Sequence, residues 1–206
     1  MAEKDFKKHL KRVNQFNISG DSDIVDIISS LKDTGFNGKR LALACNIYKE
    51  MLNDKECVKF FGLAGALVPA GMQGIIHDFI KEGYIDVLVT TGASLTHDIA
   101  ETLGYHHLQG DINVDELNDS NLHAEEMNRI YDVFLPNKVY EGIEDYVKKL
   151  EIPANDMPVS EFLKFLGGQL PEDSKSILKI CAEKEVPIFC PAFTDSGLAL
   201  QLGFNH

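Results

Sequence analysis

Three segments of this chain pair small residues with polar side chains in a way that suits an anionic or hydroxyl-bearing ligand. The segment 87–98 reads VLVTTGASLTHD. Its Thr90 and Thr91 hydroxyls can donate to a phosphate or a ribose. Gly92 and Ala93 are small enough to let a ligand approach the backbone. The same letters also describe a strand that ends in threonine and a helix capped by Ser94 or Thr96. The segment 60–71, FFGLAGALVPAG, spaces Gly62, Gly65 and Gly71 around Pro69. Pro69 fits the first turn of a helix, whose free N–H groups can face an anion. This is not GxGxxG, and a tight turn that needs glycine only for packing gives the same pattern. The third segment, CPAFTDSG at 190–197, sets Asp195 after an apolar run, where its carboxylate can hold a ribose hydroxyl or a cationic amine. An Asx turn is the plainer use of that aspartate.

The remaining candidates carry less chemistry. His97 and Asp98 stand near a helix start, where Asp98 can complement the helix dipole. His106 and His107 lie beside Gln109, Gly110 and Asp111; adjacent histidines rarely share an ion, so a surface or structural role is expected. Cys45, Cys57, Cys181 and Cys190 have no zinc-type spacing, so no metal site is expected and the thiols read as reduced, in a cytoplasmic protein. No Ser/His/Asp order, HExxH or P-loop is present. The net charge of −12 argues against nucleic acid, which needs clustered Lys and Arg, and suits a cationic partner such as a basic protein loop or a polyamine, or simply solubility. No apolar run is long enough to predict a membrane span, and the first residues show no secretory core.

The elements that must position these groups alternate. Residues 1–23 read as a basic helical arm and a linker, and 24–206 as an α/β domain. Helices are expected at 24–31 and 40–52, joined by a turn at 35–38. A strand at 59–63 leads to a helix from Pro69 to about Glu82. A strand at 85–91 follows, then a helix ending at Gly104. Residues 105–121 read as irregular, 131–135 as a short strand, and 140–150, 159–165 and 174–185 as helices. The last strand is expected at 188–192. The strands are continuous apolar runs, so the fold class is α/β with a largely parallel sheet covered by helices on both faces. The second apolar run, 198–204, reads as an exposed sheet edge that a partner must cover.

Taken together the segments resemble the deoxyhypusine synthase family. The resemblance is carried by GFNGKRLALA at 35–44, FFGLAGALVPAGMQGII at 60–76, YIDVLVTTGASLTHDI at 84–99, MNRIYDVFLPNKVYEGIED at 127–145 and VPIFCPAFTDSG at 186–197. The GALVPAG and GASLTHD forms are similar to the archaeal-type branch. The resemblance implies a Rossmann-like fold and a tetramer with NAD at subunit interfaces. It implies that NAD oxidises spermidine, that the butylamine moiety passes to an enzyme lysine as an imine and then to one lysine of a translation initiation factor precursor, and that NADH reduces the product. By position, Gly65, Ala66, Thr91, Gly92, Ala93 and Asp195 would line the NAD site, and Thr96 and His97 the substrate pocket. His97 departs from the glutamate of many members, and GLALQL after Asp195 departs from the acidic segment of animal members.

Family members continue beyond the region matched here, into a Gly-rich NAD loop, a pocket histidine and a segment with tryptophan and the catalytic lysine. No catalytic residue is therefore expected among these 206 residues. The reading is of an incomplete NAD-binding domain, with its sheet completed and its lysine supplied by a separate C-terminal chain. Its rivals are a non-catalytic regulatory subunit of such a synthase and a homospermidine synthase, which accepts a small amine.

Overall fold

Val87–Thr90 (β2) has the composition of a fully buried strand, and in the computed structural model, which describes residues 10–110 and 119–205, it is the centre of a parallel sheet. Phe60–Leu63 (β1) lies on one side of it and Ile188–Phe189 (β6) on the other, in the order β1-β2-β6. The register aligns Phe61, Leu88 and Ile188. Side chains alternate across a strand, so this row and the Leu63–Thr90 row share one face. Leu63, Leu88, Thr90 and Ile188 are buried there. The opposite face carries Phe60, Gly62, Val89 and Phe189, and it is open at the edge strands: Phe60 is 66% exposed and Phe189 48%.

The chain divides into two compact units, Met1–Cys57 and Val58–His206, so the domain expected at 24–206 spans the division. In the first unit, Ile24–Ser30 (α1) is capped by Asp23, whose carboxylate accepts from Asp26 N at 2.8 Å. A 3-10 turn, Leu31–Asp33, leads into Phe36–Asn53 (α2). The turn expected at 35–38 is the start of this helix, with Gly35 at its N-cap. Residues 10–16, expected to end a helical arm, carry no regular structure; 1–9 lie outside the described residues.

In the second unit the links between strands are helical. A 3-10 turn, Gly65–Leu67, and a wide turn, Val68–Met72, precede Gln73–Lys81 (α3). Pro69 thus sits in the wide turn, and Gly71 breaks it with φ of 83°, which a glycine adopts without strain. After β2 comes Gly92–Thr102 (α4), with Leu95, Ile99 and Ala100 buried. Leu108–Gln109 (β3) lies in the stretch expected to be irregular, whose residues 111–118 lie outside the described residues. Asp119–Ala124 (α5) is followed by Met127–Ile130 (β4) and Val133–Pro136 (β5), an antiparallel hairpin to which β3 adds a third strand. Lys138–Val147 (α6), Val159–Gly168 (α7) and Ile177–Glu183 (α8) bury one apolar stripe each, including Ile143, Leu163, Leu166, Ile177 and Leu178. Burying such a side chain stabilises the fold by about 1.5–3 kcal/mol.

The final apolar run is not a sheet edge. Residues Gly197–Asn205 form a helix (α9), capped by Ser196, whose Oγ accepts from Ala199 N at 3.2 Å. No helix of the described residues is long and apolar enough to cross a membrane.

Candidate functional site

The β2–α4 connection is where sequence and geometry meet most closely. Thr91, not Ser94 or Thr96, is the N-cap of α4, and its Oγ1 accepts from Ser94 N at 3.4 Å. Ser94 Oγ donates to Ala64 O at 3.3 Å, which ties this turn to the end of β1. The approach is close: a Cβ built on Gly65 would lie 3.2 Å from Thr91 Oγ1 and 3.3 Å from the Ala93 Cβ. Thr90, a candidate donor, is buried and spends its hydroxyl on Leu63 O at 3.2 Å, so it closes the sheet and faces no ligand.

Gly92 has a different role from the one its position suggests. It is buried, its φ is not in the left-handed region, and a Cβ there would lie 2.4 Å from Ser196 Cβ and 3.0 Å from Phe193 O. It is a glycine because the turn after β6 packs directly on it. That turn holds Asp195, exposed, with its backbone N–H donating to Ala192 O at 3.1 Å. The structure therefore gathers Gly65, Thr91, Gly92, Ala93 and the Asp195 turn at the carboxyl edge of the sheet, with Ala66 exposed in the 3-10 turn after β1.

Beside this edge, α4, α6 and α9 enclose a cleft of about 420 Å³. Ala93, Thr96 and His97 line it from α4, Tyr140 from α6, and Leu200, Gln201 and Phe204 from α9. Thr96 is structural in part. Its Oγ1 donates to Gly92 O at 2.9 Å and accepts from Leu198 N at 3.1 Å, pinning α9 to α4.

His97 belongs to a chain of titratable groups. Its Nδ1 is 2.9 Å from His107 Nε2. His107 Nδ1 is 2.6 Å from Glu101 Oε1, which also accepts from the His107 backbone N–H at 2.8 Å. His106 Nδ1 sits 2.9 Å from the other oxygen, Glu101 Oε2. Burial, and then the neighbouring His107, bring the His97 pKa down to about 4, with Glu101 acting weakly in the opposite sense. Burial works to raise Glu101, yet the bonds from His106 and His107 hold its carboxyl below the usual range. His107 is thus buried against Glu101, with its side chain 5% exposed, while His106 lies at the surface. Among the described residues no group of three or more His, Cys, Asp or Glu side chains is placed to hold a metal ion.

Asp98 faces the other way and does not complement its own helix. It is fully buried, and its oxygens accept from Gln73 Nε2 at 2.7 Å, Ser176 Oγ at 2.7 Å, Ile177 N at 2.8 Å and Leu178 N at 3.0 Å. The carboxylate closes the N-terminus of α8, where free N–H groups and the helix dipole favour negative charge. Burial pushes its pKa up, and those four donors oppose the shift. The His97–His107 contact, the Asp98–α8 contact and the Ser196 cap are the features that sequence reasoning missed. The only signal for the first was His97, Glu101 and His107 falling within one helix and its following loop.

The architecture defines a class: a parallel α/β sheet whose small-residue turns converge at its carboxyl edge, next to an apolar cleft. Residues 26–206 match the family model of deoxyhypusine synthase, and the chain belongs to that family. It is 44% identical over 178 residues to a protein named probable deoxyhypusine synthase 1 of Methanosarcina acetivorans, covering 85% of this chain and 55% of that protein. It is 39% identical over 182 residues to the probable deoxyhypusine synthase 1 of Archaeoglobus fulgidus, covering 88% and 58%. The chain thus spans little more than half the length of these archaeal relatives. A crystal structure from Entamoeba histolytica, described as a candidate deoxyhypusine synthase, superposes with a TM-score of 0.62 at 16% identity over 93% of this chain and 66% of that one. At that identity the likeness speaks for the fold.

Proposed function

We propose that this chain is the NAD-binding part of a deoxyhypusine synthase, a transferase that moves the butylamine moiety of spermidine to a lysine of a translation initiation factor precursor. The observation that carries the reading is the convergence of three turns at one sheet edge. Gly65 lies against Thr91 and Ala93, and Gly92 lies against Phe193 and Ser196. NAD fits these residues. Gly65, Ala66 and Ala93 present little side chain, Thr91 offers a hydroxyl, and Asp195 offers an exposed carboxylate suited to ribose hydroxyls. NAD would supply the hydride acceptor and donor. The adjoining cleft, with His97, Thr96, Tyr140 and apolar α9 side chains, suits an aliphatic amine, and the net charge of −12 favours a polycation such as spermidine and a basic acceptor loop.

The lysine that carries the imine lies, in this reading, in the part of the enzyme that these 206 residues do not span, and copies of the enzyme assemble as a tetramer. The open Phe60–Val89–Phe189 face of the sheet is apolar surface for such contacts. The test is an NAD titration of the assembled protein and of Asp195→Ala. The substitution is expected to weaken NAD binding by about 10- to 100-fold, the loss of one charge-assisted hydrogen bond. A folded variant with unchanged NAD affinity would remove Asp195 from the site, and absence of NAD binding by the wild-type assembly would end the reading.

A further inference from the structure

We propose that Glu101, His107 and His97 form a proton relay that carries a proton between the cleft and the part-buried His107–Glu101 pair. The geometry dictates the proton positions. A carboxylate only accepts, so His107 donates its Nδ1–H to Glu101 Oε1 at 2.6 Å. With both rings neutral, His107 Nε2 is then an acceptor, and His97 must donate its Nδ1–H to it across 2.9 Å. That leaves His97 Nε2 as a lone-pair nitrogen on a residue that lines the cleft, with no protein partner among the described residues.

A proton from the cleft enters at His97 Nε2. An N–H bond forms there, the N–H bond at His97 Nδ1 breaks, and one forms at His107 Nε2. His97 ends neutral in its other tautomer. The positive charge ends on His107, held against the Glu101 carboxylate. The reverse sequence returns the proton. Direct protonation of His107 by water is closed off, because its side chain is 5% exposed and both ring nitrogens are engaged. Charge resting on His97 is opposed by burial and by the neighbouring imidazole.

The other groups around the pair do not replace it. His106 holds Glu101 Oε2 and is 70% exposed. From α6 the cleft receives the Tyr140 phenol and from α9 the Gln201 amide, and α9 has no charged residue. Asp98, next in sequence to His97, is engaged by Gln73 and the start of α8. A relay of this kind suits a ligand that arrives as an ammonium and must lose a proton before its nitrogen reacts. For that source of the proton the inference rests on the reading of the cleft as an amine pocket; the relay itself does not.

The experiment is a nitrogen-detected NMR titration of the histidine rings in the 206-residue chain, without NAD or amine, so its outcome is independent of the proposed activity. At high pH both His97 and His107 are expected as Nδ1–H tautomers, the less common form of a free imidazole. The first protonation step is expected to switch His97 to Nε2–H while the charge appears on His107. In His107→Phe, His97 is expected to titrate about one unit or more higher than in the wild type, because the neighbouring positive charge is gone. In Glu101→Gln, which keeps the size of the side chain, the first step is expected at lower pH. The proposal is overturned if the first proton makes His97 itself an imidazolium, if its tautomer does not change, or if the two rings titrate independently.

Discussion

Replacing Asp98 tests whether a single buried carboxylate joins α4 to α8. Asp98→Ala would leave Ser176 Oγ, Ile177 N and Leu178 N without their acceptor, and Gln73 Nε2 with only its 3.3 Å bond to the Asp98 backbone carbonyl. Each orphaned buried donor costs about 1–3 kcal/mol, but the four share one site, and relaxation or an entering water recovers part of the sum. The expected loss is about 3–5 kcal/mol, well short of the simple sum. Asp98→Asn keeps the volume and one acceptor oxygen. Its amide nitrogen would then face a second pair of donors, so about 2–3 kcal/mol is expected. Ser176→Ala is the control: it removes one bond to Asp98 and the 3.1 Å cap on Lys179 N, worth about 1–2 kcal/mol together. Urea unfolding of the three variants, read by circular dichroism, checks the order. An Asp98→Asn variant within about 0.5 kcal/mol of the wild type, the scatter of ordinary surface changes, or a Ser176→Ala loss as large as that of Asp98→Ala, would show that the Asp98 carboxylate does not join the two helices.

Other outcomes follow from the same geometry. Gly92→Ala drives a Cβ into Ser196 and Phe193 O, so it should lower stability by about 1–3 kcal/mol, seen as a lower Tm; an unchanged Tm would show that the turn after β6 is free to move. The folded His97 pKa of about 4 lies below its unfolded value, so the folded chain resists a proton that the unfolded chain accepts. Stability should therefore fall as pH drops from about 6.5 to about 4, by roughly 3 kcal/mol in all, and His97→Phe should remove that part of the slope in urea unfolding followed against pH. Burial pushes the Cys181 and Cys190 thiols up, whereas Cys45 is exposed, so a thiol reagent near neutral pH should modify Cys45 quickly and the other two only after unfolding.

Much of the parallel sheet was legible because its strands are short apolar runs set between helical stretches. Val87–Thr90 declares itself by β-branched residues, and the turn after it by threonine and glycine. What the sequence concealed were partnerships made over long separations. Asp98 and Leu178 are far apart in the chain, and nothing near Asp98 signals that it caps a different helix. The 198–204 run was misread because an apolar run cannot by itself distinguish a strand from a helix packed along one side; Ser196 was the cap that settled the matter. Gly92 was read as room for a ligand, when the room is taken by another turn. The hairpin at 127–136 was half seen, since MNRI alone has the letters of no particular element.

His97 and Asp98 are neighbours on α4 that serve opposite sides of it. Rolling α4 about its axis to move His97 within the cleft would tear four hydrogen bonds from Asp98, so this helix behaves as the stator of the site. The opposite wall is α9. Beyond its fixed start at Ser196 and Leu198 it offers the cleft only Leu200, Gln201 and Phe204, side chains that can slide along an alkyl chain at little cost. Should the cleft take an amine as proposed, the length of its chain would be read by Leu200, Gln201 and Phe204, while His97 keeps one position.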